Sequence, residues 1–298
     1  MLPLFAFASC NTKEKPTIDP EELVETGSGE TNGYKLVWED LFNGEALDKK
    51  TWNIEVNGDG GGNAELQYYR TENVSVGTEP ETGRGCLVLT ARKEQFNGKA
   101  ATSGRINSMG KKFFKYGKVE ASIKLPKTAN GLWPAFWMMG NDYSTAGWPA
   151  CGETDILEMG HSNGIKNNVQ DRFFNGALHW GKWRPTGGNP MYAKDFTSSY
   201  GLQDDFHLYT LIWDENNIKM YLDLDKNPDV APYFQMAITN KDNEDSPGYY
   251  FHKEFFILFN LAVGGHFTGI LNMNQVTALA SGEAKMYVDY VKVYQKEN

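Results

Sequence analysis

Residues Gly152–Gly160 read GETDILEMG. Glu153, Asp155 and Glu158 put three acids into six residues that are otherwise apolar or β-branched. Acids are depleted from strands and expensive to bury without partners. In a regular strand successive side chains alternate between faces, so Glu153 and Asp155 share one face while Ile156 and Glu158 fall on the other. A one-residue bulge near Ile156 and Leu157 corrects the phase. It puts all three carboxyls on one face and turns Thr154 and Leu157 towards a core. Bulges recur beside active sites because they re-aim a side chain. The stretch therefore predicts a bulged strand at the floor of a reaction site.

Three carboxyls on one face repel one another, so at least one keeps its proton near neutral pH while another is ionised. A protonated and an ionised carboxyl facing one bond are the equipment of glycoside hydrolysis. Four ladder positions span ~13 Å on a straight strand at ~3.3 Å per residue, whereas a retaining mechanism needs carboxyl groups ~5–5.5 Å apart. The strand must curve so that the side chains lean together, which calls for a bent sheet with a cleft on its inner face. Metal binding and a plain solvent-facing acidic strand are the competing readings of the triplet. Hard-metal sites usually draw on loops with Asn, Gly and carbonyl oxygens.

Outward from the triplet, GLWPAFWMMG (Gly131–Gly140) alternates. Trp133, Ala135 and Trp137 share a face, which suits stacking on sugar rings; a core role for both tryptophans is the alternative. NGALHW ends on His179 and Trp180, both expected to bind substrate or support the acids. NAELQYYR and SGRINS add Asn63, Glu65, Gln67 and Arg105 as polar groups for hydroxyl contacts.

The rest of the chain is a series of short β-type runs separated by Gly, Asn, Asp and Pro, with no long helical period and no internal repeat. Ten such runs, from KLVWED to KMYVDYVKVY, argue for an antiparallel β-sandwich or closed barrel. With 298 residues, 40 % of them hydrophobic and 13 % aromatic, the chain can fill a large single core. Its net charge of −9 argues against a nucleic-acid partner, since phosphate binding needs a basic surface. Cys86 and Cys151 are expected to be free thiols. Cys10 follows MLPLFAFAS, an apolar run ending in small residues that resembles a shortened lipoprotein signal over residues 1–10. Lipidation at Cys10 would anchor the protein outside the cytoplasm, at the bacterial outer membrane or cell surface. Residues 11–33 are polar and read as a flexible tether, followed by a single catalytic domain over 34–296.

Taken in order, LVWEDLFNG, NAELQYY, SGRINS, YGKVEASIKLP, GLWPAFWMMG, GETDILEMG, GALHWG, FNLAVGGHFTG and MYVDYVKVYQ resemble glycoside hydrolase family 16, laminarinase-type bacterial endo-β-1,3(4)-glucanases above all. The resemblance implies a β-jelly-roll of two antiparallel sheets with a concave substrate cleft, a retaining mechanism, a β-glucan substrate and no organic cofactor. By the same match Glu153 is the nucleophile, Glu158 the general acid/base and Asp155 the acid that tunes the nucleophile. Asn63, Arg105, Trp133, Trp137 and His179 match cleft positions that contact sugar. Leu41 stands where the family usually has a Glu that, with an Asp matching Asp289, helps bind a structural calcium, so calcium is in doubt. His266-Phe267 replaces a frequent Asn-Trp at the far end of the cleft. A monomer is expected. Mixed-linkage glucan, a galactan such as agar, transglycosylation and a non-catalytic glycan-binding lipoprotein are the alternative readings.

Overall fold

A computed structural model describes residues 33–185 and 188–297. The signal, Cys10 and nearly all of the tether lie outside the described residues. The ten runs read from the sequence are all strands, and they assemble into two sheets. One sheet has eight strands. Its path runs from Met191–Thr197 through Phe173–His179, Glu153–Met159, Leu132–Gly140 and Phe255–Val263 to Arg105–Asn107 and Asn53–Ile54, with Phe113–Phe114 also paired to Phe255–Val263. The other has ten, with Gly117–Lys124, Glu283–Lys296 and Gly85–Arg92 at its centre. Among the described residues the strand pairings are antiparallel with one exception. Gln67–Tyr69 runs parallel to Ala101–Ser103, a departure from the purely antiparallel expectation. Two helices of four and five residues, Tyr143–Ala146 and Ser162–Lys166, sit in loops on either side of the acidic strand.

The core lies between the sheets and follows the alternation of the strands. In Leu132–Gly140, Leu132, Phe136 and Met138 point into it, as do Ile257, Phe259, Leu261 and Val263 from the neighbouring strand. Phe136 and Phe259 stack with centroids 4.8 Å apart. Fully burying such a side chain contributes roughly 1.5–3 kcal/mol. The opposite set, Trp133, Ala135, Trp137 and Met139, is also buried, but beneath the floor of a cleft rather than between the sheets. Both faces of these two central strands are thus covered, which is why all nine positions of each are buried and neither shows polar alternation.

The acidic strand carries the bulge. Trp137 pairs with Asp155 and Phe136 with Leu157, which leaves Ile156 without an opposite number. On its other side the ladder jumps from Asp155↔Ala177 to Glu158↔Asn175. The extra residue turns inward: Ile156, Leu157 and Met159 join the inter-sheet core. The Ile156 carbonyl accepts a hydrogen bond from the buried Tyr233 hydroxyl. Tyr233 reaches the bulge because Gly176 has no side chain. A Cβ there would lie 2.7 Å from Met220 Sδ and 3.1 Å from Tyr233 Cε2. Gly160 ends the strand at φ +102°, and a Cβ on it would sit 2.0 Å from the Leu132 carbonyl oxygen.

Candidate active site

The bulge places Glu153, Asp155 and Glu158 together in a cleft of about 820 Å³, along with Asn63, Arg105, Trp133, Trp137 and His179. Glu158 is the most firmly held of the three acids. Its Oε1 accepts from Trp133 Nε1 at 3.1 Å and its Oε2 from Asn175 Nδ2 at 3.1 Å. Burial pushes its carboxyl up to about 7; His179 and the two hydrogen bonds pull down, and the charge of Glu153 pushes up. Burial likewise pushes Glu153 up to about 7, against the guanidinium of Arg105 and a hydrogen bond from Trp148. Asp155, 4 % exposed, is driven well above the carboxylate range by burial and then by Glu153 and Glu158 on either side. The trio therefore holds protons at neutral pH that separate carboxylates would have lost.

His179 pairs directly with Glu153 across the ladder. Its Nε2 lies 3.8 Å from Glu153 Oε1 and 3.4 Å from Asp155 Oδ2, an oxygen with no hydrogen-bond partner among the described residues. Burial lowers the pKa of the imidazole, against the charge of Glu158, which raises it. Glu153, Asp155 and His179 also bring three ligand atoms within 4.8 Å of one another, a spacing a cation could use. Burial, which raises Asp155 and so favours its protonated form, opposes such a cation.

Arg105, from the strand Arg105–Asn107, forms an ion pair with Glu55 at 3.0 Å and lies 4.9 Å over the Trp137 ring. Trp137 Nε1 donates to Asn260 Oδ1 at 2.7 Å. Trp133 is stacked face to face on Phe267, with centroids 4.5 Å apart and an interplanar angle of 11°. Each tryptophan therefore has one face engaged by protein. Asn63 sits on the cleft rim, with its carbonyl accepting from His266 N at 2.8 Å. Glu65 lines the cleft as well, whereas Gln67 is buried and accepts the Val263 N–H, a structural role.

A second residue expected at the site is elsewhere. Trp180 is buried in the inter-sheet core, and its Nε1 donates to the Asp245 carbonyl at 3.0 Å. The reason is the alternation itself: His179 faces the cleft, so its neighbour faces away. Two other tryptophans take up the cleft wall beyond His179. Trp148 and Trp183 meet with centroids 5.7 Å apart, Trp148 approaches the His179 ring at 6.0 Å, and Trp183 is 60 % exposed. Both lie in loops, where no period marks them in the sequence. Asn175 and Asn260 were also missed; both lie on strands directly beside the acidic ladder or the tryptophans.

Comparison with known proteins agrees with the geometry. Residues 65–233 match the family described as Glycosyl hydrolases family 16. The chain is 36 % identical to the clotting factor G alpha subunit of Tachypleus tridentatus, over 88 % of this chain and 34 % of that protein. It is 32 % identical to glucan endo-1,3-beta-glucosidase A1 of Niallia circulans, over 98 % of this chain and 43 % of that protein. The chain thus spans less than half the length of either relative. Among solved structures, a Bacteroides ovatus mixed-linkage-glucan GH16 protein in complex with a G4G4G3G product aligns with a TM-score of 0.76 and 42 % identity, over 87 % of this chain and all of that one. With the family match covering more than half of its length and the two-sheet fold shared, the chain belongs to glycosyl hydrolases family 16.

Proposed function

We propose that the protein is a retaining endo-β-glucanase that cleaves internal β-1,3 bonds of laminarin-like and mixed-linkage β-1,3/1,4-glucans. The observation that carries this reading is the bulge at Ile156, which turns Glu153 and Glu158 into one cleft, where burial raises both carboxyls to about 7. Glu158 gives its proton to the departing glycosidic oxygen as Glu153 attacks the anomeric carbon. The resulting glycosyl ester on Glu153 is hydrolysed by a water that Glu158, now a carboxylate, deprotonates. Asp155, whose carboxyl burial and the two glutamates push up, lies between them and moderates the charge of Glu153. Trp137, Arg105, Asn63 and the Trp148–Trp183 wall orient the glucan so that the bond meets both acids. The solved neighbour with a mixed-linkage product favours including mixed-linkage glucan in the substrate range.

The reaction needs no organic cofactor. The Asp289 corner does not fit a calcium site: its carboxylate is held by Arg84 at 2.7 Å, and the exposed Leu41 offers only hydrocarbon. An extracytoplasmic location with a lipid on Cys10 is supported by the apolar run ending in Ala8-Ser9, and the catalytic domain is taken to act as a monomer. The test is digestion of laminarin, barley mixed-linkage glucan, curdlan and agarose, read by reducing ends and product sizes. Oligosaccharides released from laminarin or barley glucan are expected. Cleavage of agarose alone, or of none by folded protein, overturns the proposal.

A further inference from the structure

Phe267 lies in the turn Gly264–Gly269, which is pinned at three points. His266 N donates to the Asn63 carbonyl at 2.8 Å, Ser162 N to the Phe267 carbonyl at 3.0 Å, and Gly265 N to the Ile270 carbonyl at 2.8 Å. The backbone of Phe267 is therefore fixed both to the N-terminal rim and to the loop that follows the acidic strand. Its ring is held between two others. One face lies parallel to Trp133, and His161 meets it edge-on with centroids 4.8 Å apart at 85°. The His161 ring is itself fixed, since its Nδ1 accepts from Asn163 N at 3.0 Å. At the end of this row Trp133 Nε1 donates to Glu158 Oε1.

An indole can swing about its Cβ–Cγ bond unless something blocks the sweep. A parallel ring 4.5 Å away blocks it and leaves Nε1 aimed at one oxygen of Glu158. The same ring occupies a Trp133 face that would otherwise be free for a sugar. We propose that Phe267, braced by His161, is a positioning residue that acts through Trp133 to hold the Glu158 carboxyl in line with the leaving oxygen. The inference rests on Glu158 being the acid/base, and it gives the turn a role in proton transfer rather than in sugar contact.

Leaving-group dependence separates the two roles. A glucan leaves as a poor alkoxide and needs the proton, whereas 2,4-dinitrophenolate leaves without it. Phe267→Ala is expected to lower kcat on mixed-linkage glucan by about ten- to a hundred-fold, the scale on which misplacement of a catalytic group acts. Release of dinitrophenol from a 2,4-dinitrophenyl β-oligoglucoside in the glycosylation step should stay within about three-fold of wild type, since that step uses little of the ~10²–10⁴-fold acid assistance. Phe267→Trp, which keeps a flat ring against Trp133, should restore most glucan activity, and His161→Ala should show a weaker form of the same split. Equal losses on both substrates with a raised KM would make Phe267 a sugar contact and overturn the proposal, as would unchanged glucan turnover. Phe267→Leu, which keeps the bulk without the plane, serves if the alanine variant melts early, and the same split is required of it. Glu158→Gln, run in parallel, separates the two levels. Full glucan activity in that variant sinks the functional reading itself. Its expected split, with none in Phe267→Ala or Phe267→Leu, sinks only the positioning role.

Discussion

Glu158 is fixed at both oxygens, by Trp133 and Asn175, and is buried enough to keep its proton near pH 7. Two outcomes follow at this one side chain. Glu158→Gln should lose ~10²–10⁴-fold in kcat/KM on glucans, the usual worth of a general acid, and wild-type kcat/KM should fall on the alkaline side as the proton leaves near pH 7. The second outcome concerns stability. The folded pKa is raised above the ordinary value of 4.5, so the group favours the fold most below 4.5, and that contribution is lost as pH rises through about 7. Glu158→Gln should therefore melt close to wild type at pH 4.5 and above it at pH 8, by roughly 3 kcal/mol at 1.36 kcal/mol per pKa unit. Melting curves at the two pH values check it, and a variant less stable at pH 8 would contradict the burial. Among the residues that matter, the acids were legible because carboxylates in an apolar run have no ordinary reason to be there. Trp180 shows the limit of reading by residue type: it looks like a sugar platform, yet its parity with His179 turns it into the core.

At the scale of the strand, the bulge is what makes the acid pair. Regular alternation over all six residues would turn Glu158 away from Glu153, whereas removing Ile156 leaves Glu153, Asp155 and Glu158 two positions apart and on one face. Deletion of Ile156 should lower the melting temperature, because the core loses an isoleucine and the Tyr233 hydroxyl its acceptor, yet leave the three carboxyls in the cleft with glucan hydrolysis still measurable; a folded variant with no activity would contradict this account of the bulge. Gly176→Ala is a gentler probe. It crowds Met220 and Tyr233 beside the bulge and should cost about 1–3 kcal/mol, as overpacking does, with a drop in kcat. Full stability and full activity in that variant would show that Tyr233 does not brace the bulge. Most strands were legible, the acidic one through its phase error and the two central ones as continuous apolar runs. Met191–Thr197 was not, because it is an edge strand exposed along nearly its whole length and carries no buried alternation. The loops holding Trp148 and Trp183 gave no periodic signal at all, so the cleft wall beyond His179 stayed hidden.

At the scale of the molecule, two sheets share one core, and the cleft floor is the outer face of the eight-stranded sheet. The sandwich was legible from strand spacing and turn residues; the parallel Gln67–Tyr69 pairing was not, since a three-residue contact leaves no pattern. The Arg84–Asp289 pair on the other sheet leads to a prediction about metal. Chelation with EDTA should leave the melting temperature and activity unchanged, and a loss reversed by added calcium would contradict the reading of that corner. The most direct test of the whole proposal is to trap the reaction half-way. A 2-deoxy-2-fluoro β-oligoglucoside with a dinitrophenyl leaving group is incubated with the enzyme, and the product is weighed intact and mapped by peptide mass spectrometry. A single covalent glycosyl adduct on Glu153 is the predicted result. An adduct on Glu158 instead, or turnover of glucan with inverted anomeric configuration and no adduct, would contradict the assignment of the two acids.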